Sequence, residues 1–144
     1  MKRFICSTAL FFSQLTAVPY FTYGAVHAMS GYPMVGMGVR TQRAIHSLDI
    51  SINVCPFHPP QSLNVYHLRG LYLLYPAKEG PYLGAGLGFL NEPETMKRAS
   101  VSLEGSIGWE GKIGQRAKIF FEIDGIVPFQ RSEIWPGFTM GVGF

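Results

Sequence analysis

The chain alternates apolar and polar-or-glycine residues with a period of two, segment after segment. Residues 47–54 set Leu48, Ile50, Ile52 and Val54 against Ser47, Asp49, Ser51 and Asn53. Residues 136–144 set Phe138, Met140, Val142 and Phe144 against Gly137, Thr139, Gly141 and Gly143. Side chains point to opposite faces of a strand in turn, so each segment has one greasy face and one polar or bare face. The pattern recurs at 34–42 (Val35, Met37, Val39 outside Gly36, Gly38, Arg40, Gln42), at 82–89 and at 100–110. It recurs again at 118–127, where Ile119, Phe121, Ile123 and Val127 oppose Lys118, Phe120, Glu122 and Asp124. Residues 63–75 join the set, although their second half is apolar on both faces. No helical period competes over these segments, so the fold class is all-β.

Length and composition fit this reading. A chain of 144 residues is one domain by length. Seventeen Gly and ten Pro suit many short strands joined by turns. The net charge of +3 comes without a basic run, which excludes a nucleic-acid partner as an expectation. Downstream of the N-terminus there is no uninterrupted apolar stretch of about 20 residues, the length a membrane helix needs. Several segments do reach about ten residues, the length at which a tilted strand crosses a bilayer.

The N-terminus reads as an export signal. Lys2 and Arg3 precede a short apolar run, Phe4 to Leu15, too short to span and stop. Two cleavage sites fit, after Ala17 and after Ala28. Removing either segment takes Cys6 away and leaves Cys55 alone, so Cys55 is an expected free or intermolecular thiol. Cys55 and His58 make a C-x-x-H pair, but two ligands are too few for a structural zinc site, and no metal or other cofactor is expected.

Signal, alternating strands and terminal aromatic together resemble the small eight-stranded outer-membrane β-barrels of bacteria. The resemblance implies an antiparallel up-and-down transmembrane barrel in the outer membrane. It also implies that Phe138, Met140, Val142 and Phe144 form a C-terminal sorting signal, and that lipid and the barrel-assembly machinery are partners. Connection lengths agree with it: 43–46, 76–80 and 111–116 are short, whereas 55–62, 91–98 and 128–135 are longer. Seven strands are clear by alternation, and such single-chain barrels have an even count. Residues 18–28 are the expected eighth, with 29–33 as the following turn. This needs cleavage after Ala17 and gives residues 1–17 as signal and 18–144 as one barrel domain.

With the apolar faces in lipid, the lumen receives Arg40, Asp49, His67, Arg69, Glu104, Glu110, Lys118, Glu122 and Asp124. Isolated charge in a small barrel is costly, so these residues are expected to form a paired network filling the interior. The expected role is structural, or contact with an envelope protein, rather than catalysis. A narrow pore is one alternative. An exported soluble barrel with its apolar faces inward, around an apolar ligand, is another. Nothing matches a nucleophile elbow, a metal-protease helix or a phosphate loop. A lipid-modifying rim enzyme could draw on His46 with Ser47, or His67 with Ser102. The aromatics Tyr66, Trp109, Phe129, Trp135, Phe138 and Phe144 are expected at the membrane interfaces, with Tyr72 and Phe121 facing acyl chains.

Overall fold

The computed structural model describes residues 19–42, 44–56, 66–91, 100–130 and 132–144. The N-terminal signal reading, residues 63–65 of the fourth strand and His58 lie outside that set. The described elements are β1 (Tyr20–Met29), β2 (Tyr32–Thr41), β3 (His46–Val54), β4 (Tyr66–Leu74), β5 (Gly80–Asn91), β6 (Ser100–Ile113), β7 (Ala117–Pro128) and β8 (Trp135–Gly143). They pair in sequence order, antiparallel throughout, and close into a barrel. Every expected strand is present, including the one at 18–28.

Closure runs through β1 and β8, with Tyr23 opposite Gly143 and Met29 opposite Gly137. Phe144 extends the seam: its N–H donates to the Thr22 carbonyl at 2.9 Å, and the Thr22 N–H donates back at 3.2 Å. A closed sheet leaves no unpaired edge, which lets the outer surface stay apolar without edge-to-edge pairing. Between β1 and β2 the chain turns in two residues, Ser30 (φ 45°) and Gly31 (φ 91°). Two positive φ values are what a hairpin matching the strand twist demands. The remaining connections separate by end. Residues 42, 44–45, 75–79 and 114–116 lie at a turn end with Pro19 and Phe144, and residues 30–31, 55–56, 129–130 and 132–134 lie at the other, the loop end.

Alternation sorts the side chains cleanly. Outward positions carry Met37 at 68% exposure, Ile107 at 65% and Ile123 at 68%, among a belt of Val, Leu, Ile and aromatics. Charges on the strands turn inward: Arg40, Asp49, His67, Arg69, Glu104, Glu110, Glu122 and Asp124 are all buried. This is the reverse of the soluble alternative, which needed apolar faces inside. Tyr66, Trp109, Phe129, Phe138, Phe144, Tyr72 and Phe121 are exposed as expected, but Trp135 is not. It opens β8 on the inward parity and is 7% exposed within an apolar cluster.

Strand β1 alternated poorly in sequence because its inward face is not polar. Phe21, Tyr23, Ala25, His27 and Met29 point in, and Tyr20, Thr22, Gly24, Val26 and Ala28 point out. The inward glycines have a packing reason. Tyr23 lies over Gly38, Tyr82 over Gly108 and Phe120 over Gly141. Each is the cross-strand partner of the glycine it covers. A bulky side chain folded across a bare partner fills a lumen too narrow for two large residues side by side.

Candidate functional site

The interior is layered along the barrel axis. Toward the turn end, Arg40 of β2 is the centre of a knot. Its Nε donates to Asp49 Oδ2 at 2.7 Å. One terminal nitrogen donates to Glu110 Oε2 at 3.1 Å, and the other to Glu122 Oε1 at 2.5 Å. Tyr82 donates to Glu122 at 2.6 Å, Tyr75 to Glu110 at 2.9 Å and Tyr23 to Asp49 at 2.8 Å. The guanidinium carbon also sits 4.3 Å from the Phe120 ring centroid and 5.1 Å from that of Tyr82. A planar fork that meets three carboxylates over aromatic faces is the geometry arginine supplies and lysine does not. Lys118 caps the layer, 2.7 Å from Glu110 Oε1, with its ammonium 4.7 Å from the Phe21 centroid.

Arg69 of β4 continues the network. It donates to Glu122 Oε2 at 2.8 Å and to Asp124 Oδ1 at 3.0 Å, with Asp49 at 3.8 Å. Glu122 therefore ties the two guanidinium groups together, one oxygen to each. Beyond Arg69 lie two histidines. His67 Nε2 is 2.6 Å from Glu104 Oε1, which also accepts from Ser102 at 2.9 Å. His27 Nδ1 is 2.6 Å from Thr139 Oγ1, and Thr139 donates to Asp124 Oδ2 at 2.8 Å. At the loop end Met29, Met34, Cys55, Leu90, Ile126 and Trp135 close the lumen as an apolar cap.

All nine charged or titratable residues assigned to the lumen from sequence thus join one connected interior. His27, Tyr23, Tyr75, Tyr82 and Thr139 belong to it as well. Two of these lie on β1, the strand whose alternation was weakest. The three tyrosines were not singled out from sequence, because a sequence does not say which carboxylate a hydroxyl reaches.

Other assignments change. Cys55 is buried at 2% exposure inside the cap, which is not the accessible position an intermolecular disulfide requires. His46 and Ser47 fall on opposite faces: His46 meets the Tyr72 hydroxyl outside, and Ser47 donates to the Thr41 carbonyl. His67 and Ser102 do converge, but on Glu104 rather than on each other, and both are fully buried. The hydroxyl proton points at a carboxylate, not at an imidazole base. Among the described residues no group of three or more His, Cys, Asp or Glu has the arrangement of a metal site.

The fold and site define a class: an eight-stranded antiparallel barrel, charged within and apolar without. No protein-family model matches the chain, and no curated protein matches it. Among solved structures, the N-terminal β-barrel domain of Pseudomonas aeruginosa OprF is similar, with a TM-score of 0.61 at 16% identity. That alignment covers 87% of this chain and 96% of the OprF domain chain. At such an identity the likeness is one of fold.

Proposed function

We propose that the protein is an integral barrel of the bacterial outer membrane with a structural or envelope-interaction role, its interior a plug rather than an open pore. The inverted distribution of side chains carries this reading. Between the rims of the strands, outward positions hold no Asp, Glu, Lys or Arg, whereas the lumen holds all the strands' buried charges. A continuous apolar girdle of this extent is incompatible with water as the surrounding solvent and matches an acyl phase. Strands of 9 to 14 residues are long enough to cross it. The plug reading is supported by the knot at Arg40 and the cap at Met29 and Trp135, which obstruct the lumen at two levels.

Export is part of the same reading, with cleavage near Ala17; cleavage after Ala28 would delete nearly all of β1 and with it the closing seam. The outward set Phe138, Met140, Val142 and Phe144 is then the surface that the barrel-assembly machinery reads.

Fractionation tests the location. The protein should stay in a carbonate-washed outer-membrane pellet and migrate differently on gels with and without boiling. Release into the soluble periplasmic fraction removes the proposal. Planar-bilayer recordings test the plug: a silent membrane is expected, and steady unitary currents from the wild type would favour the narrow pore instead.

A further inference from the structure

The barrel closes where its first strand meets its last, and side-chain pattern leaves the alignment of that pair underdetermined. A slip of one residue exchanges the two faces of a strand, so alternation forbids it. A slip of two residues keeps every face. Sliding β8 by two residues along β1 sets Phe21 opposite Gly143, Tyr23 opposite Gly141 and His27 opposite Gly137 on the inward side. It also sets Met29 opposite Trp135, both already members of the apolar cap. Outward, Gly24 comes to face Met140 and Val26 to face Phe138, so the apolar belt is unbroken. Large inward side chains still face bare glycines. Glycine-rich strands specify register weakly for this reason.

The observed alignment is different. Tyr23 faces Gly143, Ala25 faces Gly141, His27 faces Thr139 and Met29 faces Gly137. His27 with Thr139 is the inward pair of this seam in which two polar side chains meet. His27 Nδ1 lies 2.6 Å from Thr139 Oγ1, and both residues are buried. The Thr139 hydroxyl donates to Asp124 Oδ2 at 2.8 Å, and Asp124 Oδ1 accepts from Arg69 at 3.0 Å. One line of hydrogen bonds therefore runs from β1 through β8 and β7 to β4, across the lumen.

In the slipped alignment Thr139 faces Ala25, and His27 faces a glycine that offers its ring no side-chain partner. A buried polar group is expensive to leave unpaired, so this pair separates two alignments that alternation does not. The consequence reaches the whole molecule. In a closed sheet the stagger of the strands is linked to the diameter, and a two-residue slip moves one strand by roughly 7 Å along its neighbour.

We propose that His27 and Thr139 lock the register of the closing seam. Their bond, anchored through Asp124 to Arg69, selects the observed pairing of β1 with β8 over the one two residues away, and with it the stagger of the barrel. Both are positioning residues. The lock lies within the lumen and does not depend on which phase surrounds the barrel.

Disulfide trapping in detergent micelles reads the register directly. Cys6 and Cys55 are first changed to Ser, and cysteine pairs are placed on the outward face. Val26→Cys with Met140→Cys reports the observed alignment, because these residues are opposite each other and within bridging distance. Gly24→Cys with Met140→Cys reports the slipped one, and Gly24 has open space around an added β-carbon. With the lock intact, mild oxidation should join 26 to 140 and leave 24 and 140 apart. Thr139→Val should shift the cross-link from 26–140 to 24–140, and Thr139→Ser, which keeps the hydroxyl, should restore 26–140. An unchanged 26–140 cross-link in Thr139→Val overturns the lock, as does a shift in Thr139→Ser. Should Thr139→Val fail to fold, His27→Leu leaves Thr139 on Asp124 and is read by the same two pairs. A barrel that closes in neither variant also overturns the proposal, since a selector of register is not a condition of closure.

Discussion

Two layers of one lumen, a few residues apart along the same strands, solve the burial of charge differently. Around Arg40 every nitrogen of the guanidinium donates to a partner, and three tyrosines complete the carboxylates. Around His27 and His67 the contacts are as short, but each ring leaves one nitrogen without a partner among the described residues. The first layer is a closed arrangement that can only be broken. The second keeps open hydrogen-bonding positions among the described residues. The difference comes from residue chemistry: arginine presents five donors in a planar fork, whereas a neutral histidine ring offers one donor and one acceptor.

The contrast can be broken most severely at its centre. Arg40→Met should cost about 3–5 kcal/mol, because it takes from buried Asp49 its close cation and leaves buried Glu110 and Glu122 with one cation each, Lys118 and Arg69. Urea unfolding in lipid vesicles, followed by heat-modifiable migration, measures it. A midpoint close to wild type would show that the knot is dispensable.

Gly38→Val probes the packing that holds the knot in place. A β-carbon there meets the Tyr23 ring and the Ile50 carbonyl, so Tyr23 must leave its bond to Asp49. Overpacking of this kind costs about 1–3 kcal/mol. The same urea midpoint checks it, and Gly108→Val beneath Tyr82 should behave alike.

The open layer should respond far less to loss of a hydroxyl. Ser51→Ala and Ser106→Ala remove groups with no protein partner, so each should stay within about 1 kcal/mol of wild type. Larger losses would mean that these hydroxyls hold tightly bound water.

Smallest of all is the exposed turn end. Lys112 lies 2.5 Å from Glu79, and its hydrogen bond holds that carboxyl below the usual range. Such a pair stabilises above the ordinary carboxylate range and loses its contribution on acidification. Both partners are in solvent, however, so Lys112→Ala should leave the melting temperature unchanged at pH 7. A measurable drop would place the pair in a wider network.

Much of this architecture was legible because a barrel wall obeys a local rule. Leu48, Ile50 and Ile52 against Ser47, Asp49 and Ser51 state which face turns outward without reference to any other strand. The even count of strands then required residues 18–28, whose own pattern hid the strand. Phe21 and Tyr23 are aromatic yet point inward, because they cover bare glycines on the neighbouring strands, Gly143 across the seam and Gly38 on β2. Trp135 and Cys55 were misplaced for a related reason. Both sit at the loop end, where the interior turns from polar to apolar, so that an apolar residue there does not imply an outward position.

The sequence by itself determined the period, the inward direction of the charges and the need for closure, since these follow from side-chain alternation and the cost of isolated charge. Only the tertiary structure decided the pairings. Arg40 meets Glu110 and Glu122 from 70 and 82 residues away, through the stagger of closed strands that no local pattern records. The same stagger sets His67 against Glu104 and beside His27.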